Sequence, residues 1–376
     1  MHIHEIKDWP GFHWSAERIA ELLASARHRQ GRLIGRMEGL GFNLQQEAVL
    51  LTLTADVLKS SEIEGEKLDA GQVRSSIARR LGIDIGALTP ADRNVEGVVE
   101  MMLDATRHFS QSLTAERLFA WHAALFPTGR SGMTKINTGA WRDDSTGPMQ
   151  VISGPLGKEH VHFEAPKANR LAGEMGAFLD WFEGKAQIDP VLKAGLAHLW
   201  FVTIHPFDDG NGRIARAIAD LALARSENSP QRFYSMSAQI RQERSAYYGI
   251  LEQTQKGTMD ATPWMEWFLG CLGRAIDGAQ DTLSVVLDKA RFWERITDVQ
   301  LNERQRLVIN RLLDGFEGKL TTSKYAALAK CSQDTAYRDI LALVDHGVLI
   351  QNPEGGRSTS YSLALPSHPA VECESH

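Results

Sequence analysis

Twelve consecutive residues, His205–Arg216, read HPFDDGNGRIAR and combine a histidine, two adjacent carboxylates, a Gly-Asn-Gly turn and two arginines. A neutral imidazole near pH 7 can take a proton from a hydroxyl group. Asp208 or Asp209 could hold Mg²⁺ against phosphates, since Mg²⁺ favours one or two carboxylates together with phosphate oxygens. These residue types at this spacing therefore predict transfer of a phosphorus centre to a hydroxyl, with His205 as the base.

The second half of this stretch predicts an anion site at the start of a helix. Glycines at positions 210 and 212 permit positive φ, which lets successive backbone N–H groups converge on one point. The N–H groups and the dipole of a helix N-terminus favour a phosphate there. Arg213 and Arg216, three residues apart, share a helical face and would add two cations to the same site.

Two other interpretations of the stretch are weaker. It could be a helix end followed by an ordinary turn, but every polar residue in it would then be incidental. It could also belong to a metal hydrolase with His198 and His205 as ligands, which are seven residues apart and could share a helical face. That interpretation lacks a third ligand at a sensible spacing.

Two buried helices must hold this loop from either side. Apolar residues at helical spacing predict a helix over Pro190–Ile204, and Pro206 disfavours helical backbone at His205, so the helix should stop there. Helical periodicity resumes with Ile214 and Ile218. The DDGNG segment is therefore predicted to be a tight connection between the two helices.

The rest of the chain has mainly helical patterns. Between them, the segments MQVIS and HVHFE flank the loop SGPLGKEH, which predicts a β-hairpin at about residues 148–166. We expect a mainly α fold, in which a helical N-terminal extension precedes an all-helical core that carries this hairpin. Further helices are predicted at residues 16–37, 45–66, 94–109, 114–125 and 169–182.

A separate module is predicted at the C-terminal end. Residues 300–365 have the pattern of three helices and a small hairpin, which is typical of a winged helix-turn-helix, and residues 366–376 form a tail. Between Asn302 and Leu365 there are 8 Lys/Arg and 7 Asp/Glu, so 8 − 7 = +1, which is thin support for DNA binding. Docking to a protein or dimer formation is the alternative. The side chains that could reach bases are Gln333, Thr335, Tyr337 and Arg338.

The composition of the 376 residues is that of an ordinary globular protein, with 43% apolar and 23% charged residues. The net charge of −6 leaves the whole molecule without an electrostatic footprint for nucleic acid. We expect no membrane span and no signal peptide, because neither a long apolar run nor a basic start with an apolar core is present. Three widely spaced cysteines fit a reduced, cytoplasmic protein.

The stretch HPFDDGNGRIAR resembles the signature of the Fic family, H-x-F-x-[D/E]-G-N-G-R-x-x-R, at every fixed position. Fic proteins are mostly AMP transferases, which move AMP from ATP to a Ser, Thr or Tyr hydroxyl of a protein. The resemblance implies ATP and Mg²⁺ as ligands, His205 as the base and Asp209 as the Mg²⁺ ligand; Asp208 fills a variable position. It also implies that Gly210, Asn211 and Gly212 form an anion hole. Arg213 and Arg216 would contact the β- and γ-phosphates, and Phe207 would pack into the core.

Two neighbouring segments extend this resemblance. GAWRDDSTGPMQVISGPLGKEHVHFEAP is similar to the family's flap hairpin, which aligns the target protein beside the nucleotide, and an exposed hairpin edge can bind an extended peptide as an added strand. IRQERSAYYGILEQ is similar to the helix whose tyrosines flank the adenine. We expect Tyr248 rather than Tyr247 in that role, although either could be a core aromatic residue.

A third segment, SSEIEGE, resembles the inhibitory motif [S/T]-x-x-x-E-[G/N] of Fic proteins that regulate themselves. Ser60, Glu64 and Gly65 fit it, in a predicted inhibitory helix at about residues 47–66 of the N-terminal extension (residues 1–93), upstream of the core (residues 94–285). A carboxylate paired with Arg216 would occupy the arginine that should hold the γ-phosphate. The alternative is a solvated glutamate at an acidic helix end.

The expected function is therefore an auto-inhibited protein adenylyltransferase that could also modify itself. One alternative is removal of AMP by the same site, with Glu64 orienting a water. Another is a nucleotide-responsive DNA-binding regulator that uses the winged helix. Transfer of UMP, phosphate or phosphocholine also stays open, as does a homodimer.

Overall fold

The structure is a computed structural model that describes residues 2–86, 88–145, 147–153, 160–185, 188–313, 316, 318–353 and 359–364. The predicted tail at residues 366–376 and the loop at residues 154–159 lie outside the described residues. The chain divides into two compact units. The first consists of Met1–Ile83 and Leu88–Leu283, and the second of Asp84–Ala87 and Ser284–His376.

The first unit is built from helices with small strand pairs, which confirms the predicted mainly α fold. Its helices are α1 (Ala16–Glu38), α2 (Phe42–Ile63), α3 (Ala70–Leu81), α4 (Arg93–Arg107), α5 (Ala115–Leu125), α6 (Leu171–Glu183), α7 (Pro190–Ile204), α8 (Asn211–Glu227), α9 (Met236–Gln242), α10 (Arg244–Gln255) and the first part of α11 (Thr262–Arg295). Its strands pair antiparallel as β1 (Arg130–Ser131) with β2 (Thr134–Lys135), and β3 (Gln150–Ser153) with β4 (His160–Glu164).

Helices α7 and α8 form the centre of this unit. In α7, every residue from Val191 to Ile204 except Lys193 is buried, and burial of each large apolar side chain contributes about 1.5–3 kcal/mol. Gly195 allows α11 to lie close, because a Cβ there would be 2.8 Å from the Phe268 ring. Two such helices give the loop between them fixed ends.

The segment after α2 differs from the prediction. We expected one inhibitory helix at about residues 47–66, but α2 spans Phe42–Ile63 and a separate helix, α3, follows it. Gly65 has φ 87°, which an α-helix does not accept. Asp69 then starts α3 by accepting a hydrogen bond from the Gln72 backbone N–H at 2.8 Å. Glu64 therefore lies at the C-cap of α2, in a turn between two helices.

The hairpin of β3 and β4 lies within the predicted range of residues 148–166. Gln150 pairs with Glu164 and Ser153 with His160, with an irregularity between Val151 and Ile152. Within the described residues β3 pairs with β4 alone, so its other edge is open.

In its described residues, the second unit contains the end of α11, then three further helices and an antiparallel strand pair. These are α12 (Glu303–Leu313), α13 (Thr322–Ala329), α14 (Gln333–Asp345), β5 (Leu349–Gln351) and β6 (Tyr361–Leu363). Gln333, Tyr337 and Arg338 on α14 are exposed, whereas Thr335 is half-buried. The assignment as a winged helix-turn-helix and the DNA partner stay predictions.

In the part of the chain that the structure describes, no helix combines the length and the apolar character needed to cross a bilayer.

Candidate active site

The loop between α7 and α8 changes direction at two residues with left-handed backbone. His205 ends α7 with φ 51° and ψ 57°, and Gly210 precedes α8 with φ 81°. Asn211 closes the loop, because its side chain accepts a hydrogen bond from the Phe207 N–H at 3.0 Å and donates one to the Phe207 carbonyl at 2.8 Å. A histidine in this rarely populated conformation is a feature typical of functional sites.

Arg142 and Phe207 hold the loop between α7 and α8 in place. The buried Arg142 donates from Nε to the His205 carbonyl at 2.8 Å and from its backbone N–H to the Pro206 carbonyl at 2.9 Å. The Phe207 ring is fully buried and stacks on His122 with ring centroids 4.2 Å apart. The backbone on either side of His205 is thus held by interactions from a different part of the chain.

The His205 imidazole is oriented as a base. Its Nδ1 lies 3.2 Å from the Val202 carbonyl, and because a carbonyl can only accept, Nδ1 carries the hydrogen and Nε2 keeps the free lone pair. Burial lowers the pKa of His205 to about 4. The ring is therefore neutral at pH 7 and able to accept a proton at Nε2.

The two aspartates of the loop have different partners. Asp209 accepts hydrogen bonds from the Ser131 hydroxyl and from the Gly210 N–H, the latter at 2.6 Å. Asp208 accepts from the Asn137 backbone N–H at 2.8 Å. Ser131 was missed by the sequence analysis, because nothing local links it to a residue 78 positions later.

The two glycines of the loop are needed for different reasons. Gly210 has a positive φ, and a Cβ there would also lie 2.9 Å from the Phe126 ring. Gly212 lies in α8, so it does not use the positive φ that glycine permits. Its requirement is space, because a Cβ at Gly212 would clash with Oε1 of Glu64 and lie 3.1 Å from the Glu64 carboxyl carbon. A carboxylate therefore lies against the first turn of α8, where an anion is favoured.

Arg216 is buried and bonded to the segment that was predicted to be inhibitory. Nη2 donates to Glu64 Oε1 at 2.7 Å and to the Ser60 carbonyl at 2.9 Å, and Nε donates to Ser60 Oγ at 2.9 Å. Burial alone would lower the pKa of Arg216, but the Glu64 carboxylate raises it. Nη1 has no hydrogen-bond partner among the described residues.

Arg213 has a second carboxylate partner, which the sequence analysis did not find. Its Nη1 donates to Glu66 Oε2 at 2.7 Å, and its guanidinium lies 5.1 Å from the Phe126 ring centroid. The Arg213 side chain is 3% exposed and that of Glu66 is 48% exposed. Arg213 and Arg216 are thus both paired with carboxylates of the turn that follows α2.

A cavity of about 900 Å³ opens beside these groups, a volume typical of small-molecule sites. It is bordered by the loop, the hairpin and α10, and its lining includes Glu64, Met149, Gln150, Val151, His205, Asp209, Gly212 and Tyr248. The loop, the hairpin, α10 and Glu64 therefore meet at one cavity, whereas Arg213 and Arg216 are not among its described lining residues.

The two tyrosines of α10 differ in their environment. Tyr247 is 1% exposed, and its hydroxyl lies 2.8 Å from His198 Nε2. Tyr248 is half-buried, lines the cavity and lies with its ring centroid 5.1 Å from the Arg244 guanidinium. The Tyr248 ring is thus the more accessible to a ligand. The buried contact of His198 with Tyr247 gives it a packing role and weakens the metal-hydrolase interpretation.

Comparison with known proteins identifies two regions. Residues 112–223 match the model of the Fic/DOC family, and residues 2–83 match that of a domain of unknown function, DUF4172. The chain is 36% identical over 116 residues to "Protein adenylyltransferase Fic" of Nematostella vectensis, covering 30% of this chain and 25% of that protein. It is 33% identical over 225 residues to the protein of the same name in Drosophila melanogaster, covering 59% of this chain and 41% of that protein.

The chain thus spans between a quarter and about two fifths of the length of these curated relatives. Among solved structures, a Fic family protein from Desulfovibrio desulfuricans G20 aligns over 93% of this chain and 97% of its own, with a TM-score of 0.52 and 24% identity. At that identity the likeness shows the fold.

Proposed function

We propose that this chain, whose residues 112–223 match the model of the Fic/DOC family, is an auto-inhibited protein adenylyltransferase. In this proposal it transfers AMP from ATP to a Ser, Thr or Tyr hydroxyl of a protein. The observation that carries the proposal is that three groups surround one cavity. They are the neutral base His205, the carboxylate of Asp209 and the helix N-terminus at Gly212.

In the proposed reaction, Nε2 of His205 takes the proton of the target hydroxyl. The hydroxyl oxygen forms a bond to the α-phosphorus of ATP, the bond between the α- and β-phosphates breaks, and pyrophosphate leaves. The Nδ1–H contact with Val202 supports this role, because it holds the lone pair of Nε2 towards the site. The low pKa of His205 keeps the base unprotonated before the reaction starts.

The first turn of α8 and the two arginines are proposed to hold the phosphates. The N–H groups at a helix N-terminus and the two guanidinium groups of Arg213 and Arg216 favour the negative charge of the β- and γ-phosphates. Tyr248 is proposed to border the adenine. The open edge of β3 is proposed to receive the target segment as an added strand.

Asp209 fits a Mg²⁺ ligand in this arrangement. It is a half-buried carboxylate on the cavity wall, where phosphate oxygens would complete the coordination. The metal would supply charge neutralisation for the departing pyrophosphate. The Ser131 hydroxyl would orient the carboxylate.

Auto-inhibition is proposed to result from Glu64. Its carboxylate bonds Arg216 and lies against Gly212, so it takes both the arginine and part of the space that a phosphate needs. Glu66 would add a weaker contact by pairing with Arg213. ATP bound in the presence of Glu64 would keep its α-phosphate out of line for attack.

The test is AMP transfer by the wild type and by Glu64→Gly, each incubated with ATP and Mg²⁺ and weighed as intact protein, with lysate proteins as additional acceptors. We expect weak transfer by the wild type and strong transfer by the variant. Adding His205→Ala to the variant should abolish the transfer. If neither form transfers AMP to itself or to any lysate protein, the proposal fails. The same assay with UTP or CDP-choline tests the related chemistries.

Removal of AMP is the second candidate, because Glu64 and His205 line the same cavity. In that reaction Glu64 would orient a water towards the phosphodiester of a modified side chain. AMP release from a target that has first been modified by Glu64→Gly would measure it. Release by the wild type and its loss in Glu64→Gln would favour this function over inhibition alone.

A further inference from the structure

Two histidines of the hairpin lie on one face of strand β4. His160 and His162 are two positions apart, and alternate residues of a strand point to the same side. Their rings are perpendicular, with centroids 4.6 Å apart. The sequence motif HVHFE therefore places two imidazoles side by side. Strand pairing in the hairpin does not require these imidazoles.

Helix α10 adds a carboxylate to this pair. Glu252 Oε2 lies 2.7 Å from His162 Nδ1, and Glu252 Oε1 lies 3.8 Å from His160 Nε2. One ligand atom from each residue lies within 4.8 Å of the others. The three groups come from two elements separated by about 90 residues, so they converge through the fold rather than through local sequence.

The geometry is close to that of a metal centre with two imidazoles and one carboxylate. Zn²⁺ binds imidazole nitrogen and carboxylate oxygen at about 2.0–2.2 Å, so tetrahedral ligand atoms lie about 3.3 Å apart. To reach that spacing, the 2.7 Å contact would lengthen by about 0.6 Å and the longer separations would shorten by about 0.5–1.5 Å. The His160 side chain is 66% exposed and those of His162 and Glu252 are each 30% exposed, which leaves room for that adjustment.

We propose that His160, His162 and Glu252 form a binding site for a divalent transition metal of the Zn²⁺ class, with a fourth position open to water. Imidazole ligands favour Zn²⁺ over Mg²⁺ and Ca²⁺, which prefer all-oxygen sites. The site is therefore distinct in chemistry from the Mg²⁺ site proposed at Asp209. It does not depend on the proposed catalytic function.

The competing occupant of the carboxylate is Lys256. Its Nζ lies 2.6 Å from Glu252 Oε1, one helical turn away. A bound metal would displace this ammonium, whose side chain is 38% exposed and free to turn into solvent. The competition gives the proposal a distinctive consequence, because removal of Lys256 should strengthen metal binding.

Metal binding would join the hairpin to α10 at the edge of the cavity. His162 and Glu252 both line that cavity. The hairpin would then have a fixed distance from α10, and its backbone amides should exchange more slowly. This effect would be measurable by hydrogen exchange over β3 and β4 without any turnover assay.

The experiment is equilibrium binding of Zn²⁺ to tag-free full-length protein without nucleotide, measured by competition with a chromophoric chelator. We expect one site per chain, weakened about tenfold or more by His160→Asn, His162→Asn or Glu252→Gln. His28→Asn, which removes an exposed histidine of α1, should leave it unchanged. Circular dichroism and melting temperature confirm that each variant is folded.

Lys256→Met should tighten Zn²⁺ binding severalfold, whereas Lys167→Met, which removes an exposed lysine beside the hairpin, should have little effect. The proposal is overturned if no stoichiometric Zn²⁺ binds, or if binding survives in all three ligand variants. It is also overturned if His28→Asn weakens binding as much as they do, or if the two lysine variants behave alike.

Discussion

Arg216 and Arg213 each pair with a carboxylate of the turn that follows α2, but the two pairs differ in burial. The Arg216–Glu64 pair has side-chain exposures of 1% and 29%, and the Arg213–Glu66 pair has 3% and 48%. A mostly desolvated charge-assisted hydrogen bond contributes about 1.5–3 kcal/mol, whereas a pair with one half-exposed partner contributes about 1 kcal/mol or less. In the proposed reaction, the β- and γ-phosphates replace both contacts before the α-phosphate is in line for attack.

These magnitudes convert directly into rates. If the Glu64–Arg216 contact makes productive binding of ATP less favourable by about 2 kcal/mol, Glu64→Gly should raise kcat/KM for ATP about 30-fold. Each 1.36 kcal/mol of free energy corresponds to a factor of ten in rate. Glu66→Gln should raise it by about fivefold at most. Because Glu64 and Glu66 lie in one turn and would oppose the phosphates of the same ATP, we expect the effects of the double variant to depart from simple multiplication.

The assay is the initial rate of labelled AMP incorporation at subsaturating ATP. Glu62→Gly is the matched control, because it removes a carboxylate and adds a glycine at the same helix end. Glu62 pairs with Lys59 and, at 3.5 Å, with Arg241, and not with the two arginines that are proposed to hold the phosphates. Equal gains from Glu64→Gly and Glu62→Gly would attribute activation to loosening of the helix end. A gain from Glu66→Gln that matched Glu64→Gly would refute the argument from burial.

Three further outcomes are expected. Glu64→Gly should lower the melting temperature of the ligand-free protein, because it leaves a buried Arg216 without its carboxylate. ATP at 100 times the Kd of this variant should raise its free energy of unfolding by about 2.7 kcal/mol. Equal stabilisation of the wild type at the same ATP concentration would contradict the block. Burial lowers the pKa of His205 to about 4, and the Glu64 carboxylate opposes that shift. In Glu64→Gly, kcat/KM should therefore stay level from about pH 8 to about pH 5 and fall only at about pH 4 or below. A pH–rate profile that falls at about pH 6.5 would show an exposed histidine. Asp209→Asn should raise the Mg²⁺ concentration for half-maximal transfer about tenfold or more, without changing the melting temperature by more than a few degrees, and Mg²⁺ titration of the transfer rate measures it.

The sequence predicted those features whose causes are local. The end of α7 at His205 follows from the proline after it. The hairpin strands follow from their alternation. In each case, residues within about one turn of the chain decide the backbone.

What the sequence did not predict depends on distant contacts. Helix α3 is short and rich in polar residues, with Val73 and Ile77 as its large buried apolar residues, and its start is set by the Asp69 side chain. The Glu66–Arg213 pair joins residues 147 positions apart. The close approach at Gly212 could not be predicted for the same reason, because the group that a Cβ there would meet is the distant Glu64 carboxylate.

Release of Glu64 requires much less movement than release of helix α2. The body of α2 is anchored, because Asp56 accepts from the Ser237 N–H at 3.1 Å and the Ile63 carbonyl accepts from Arg244 Nε at 2.9 Å. The turn after it is exposed and contains Gly65 with its positive φ. A signal that alters this turn or α3 could therefore withdraw Glu64 while Ser60 stays in place.

That division has a chemical consequence for Arg216. Its two hydrogen bonds to Ser60 would persist after Glu64 leaves, so the guanidinium would keep its position instead of collapsing into the vacated space. Nη1, which has no partner among the described residues, and the freed side of Nη2 would then be the donors available to a phosphate. The same short motif would thus block the arginine through Glu64 and hold it ready through Ser60, so Ser60→Ala should reduce transfer in the Glu64→Gly background rather than increase it.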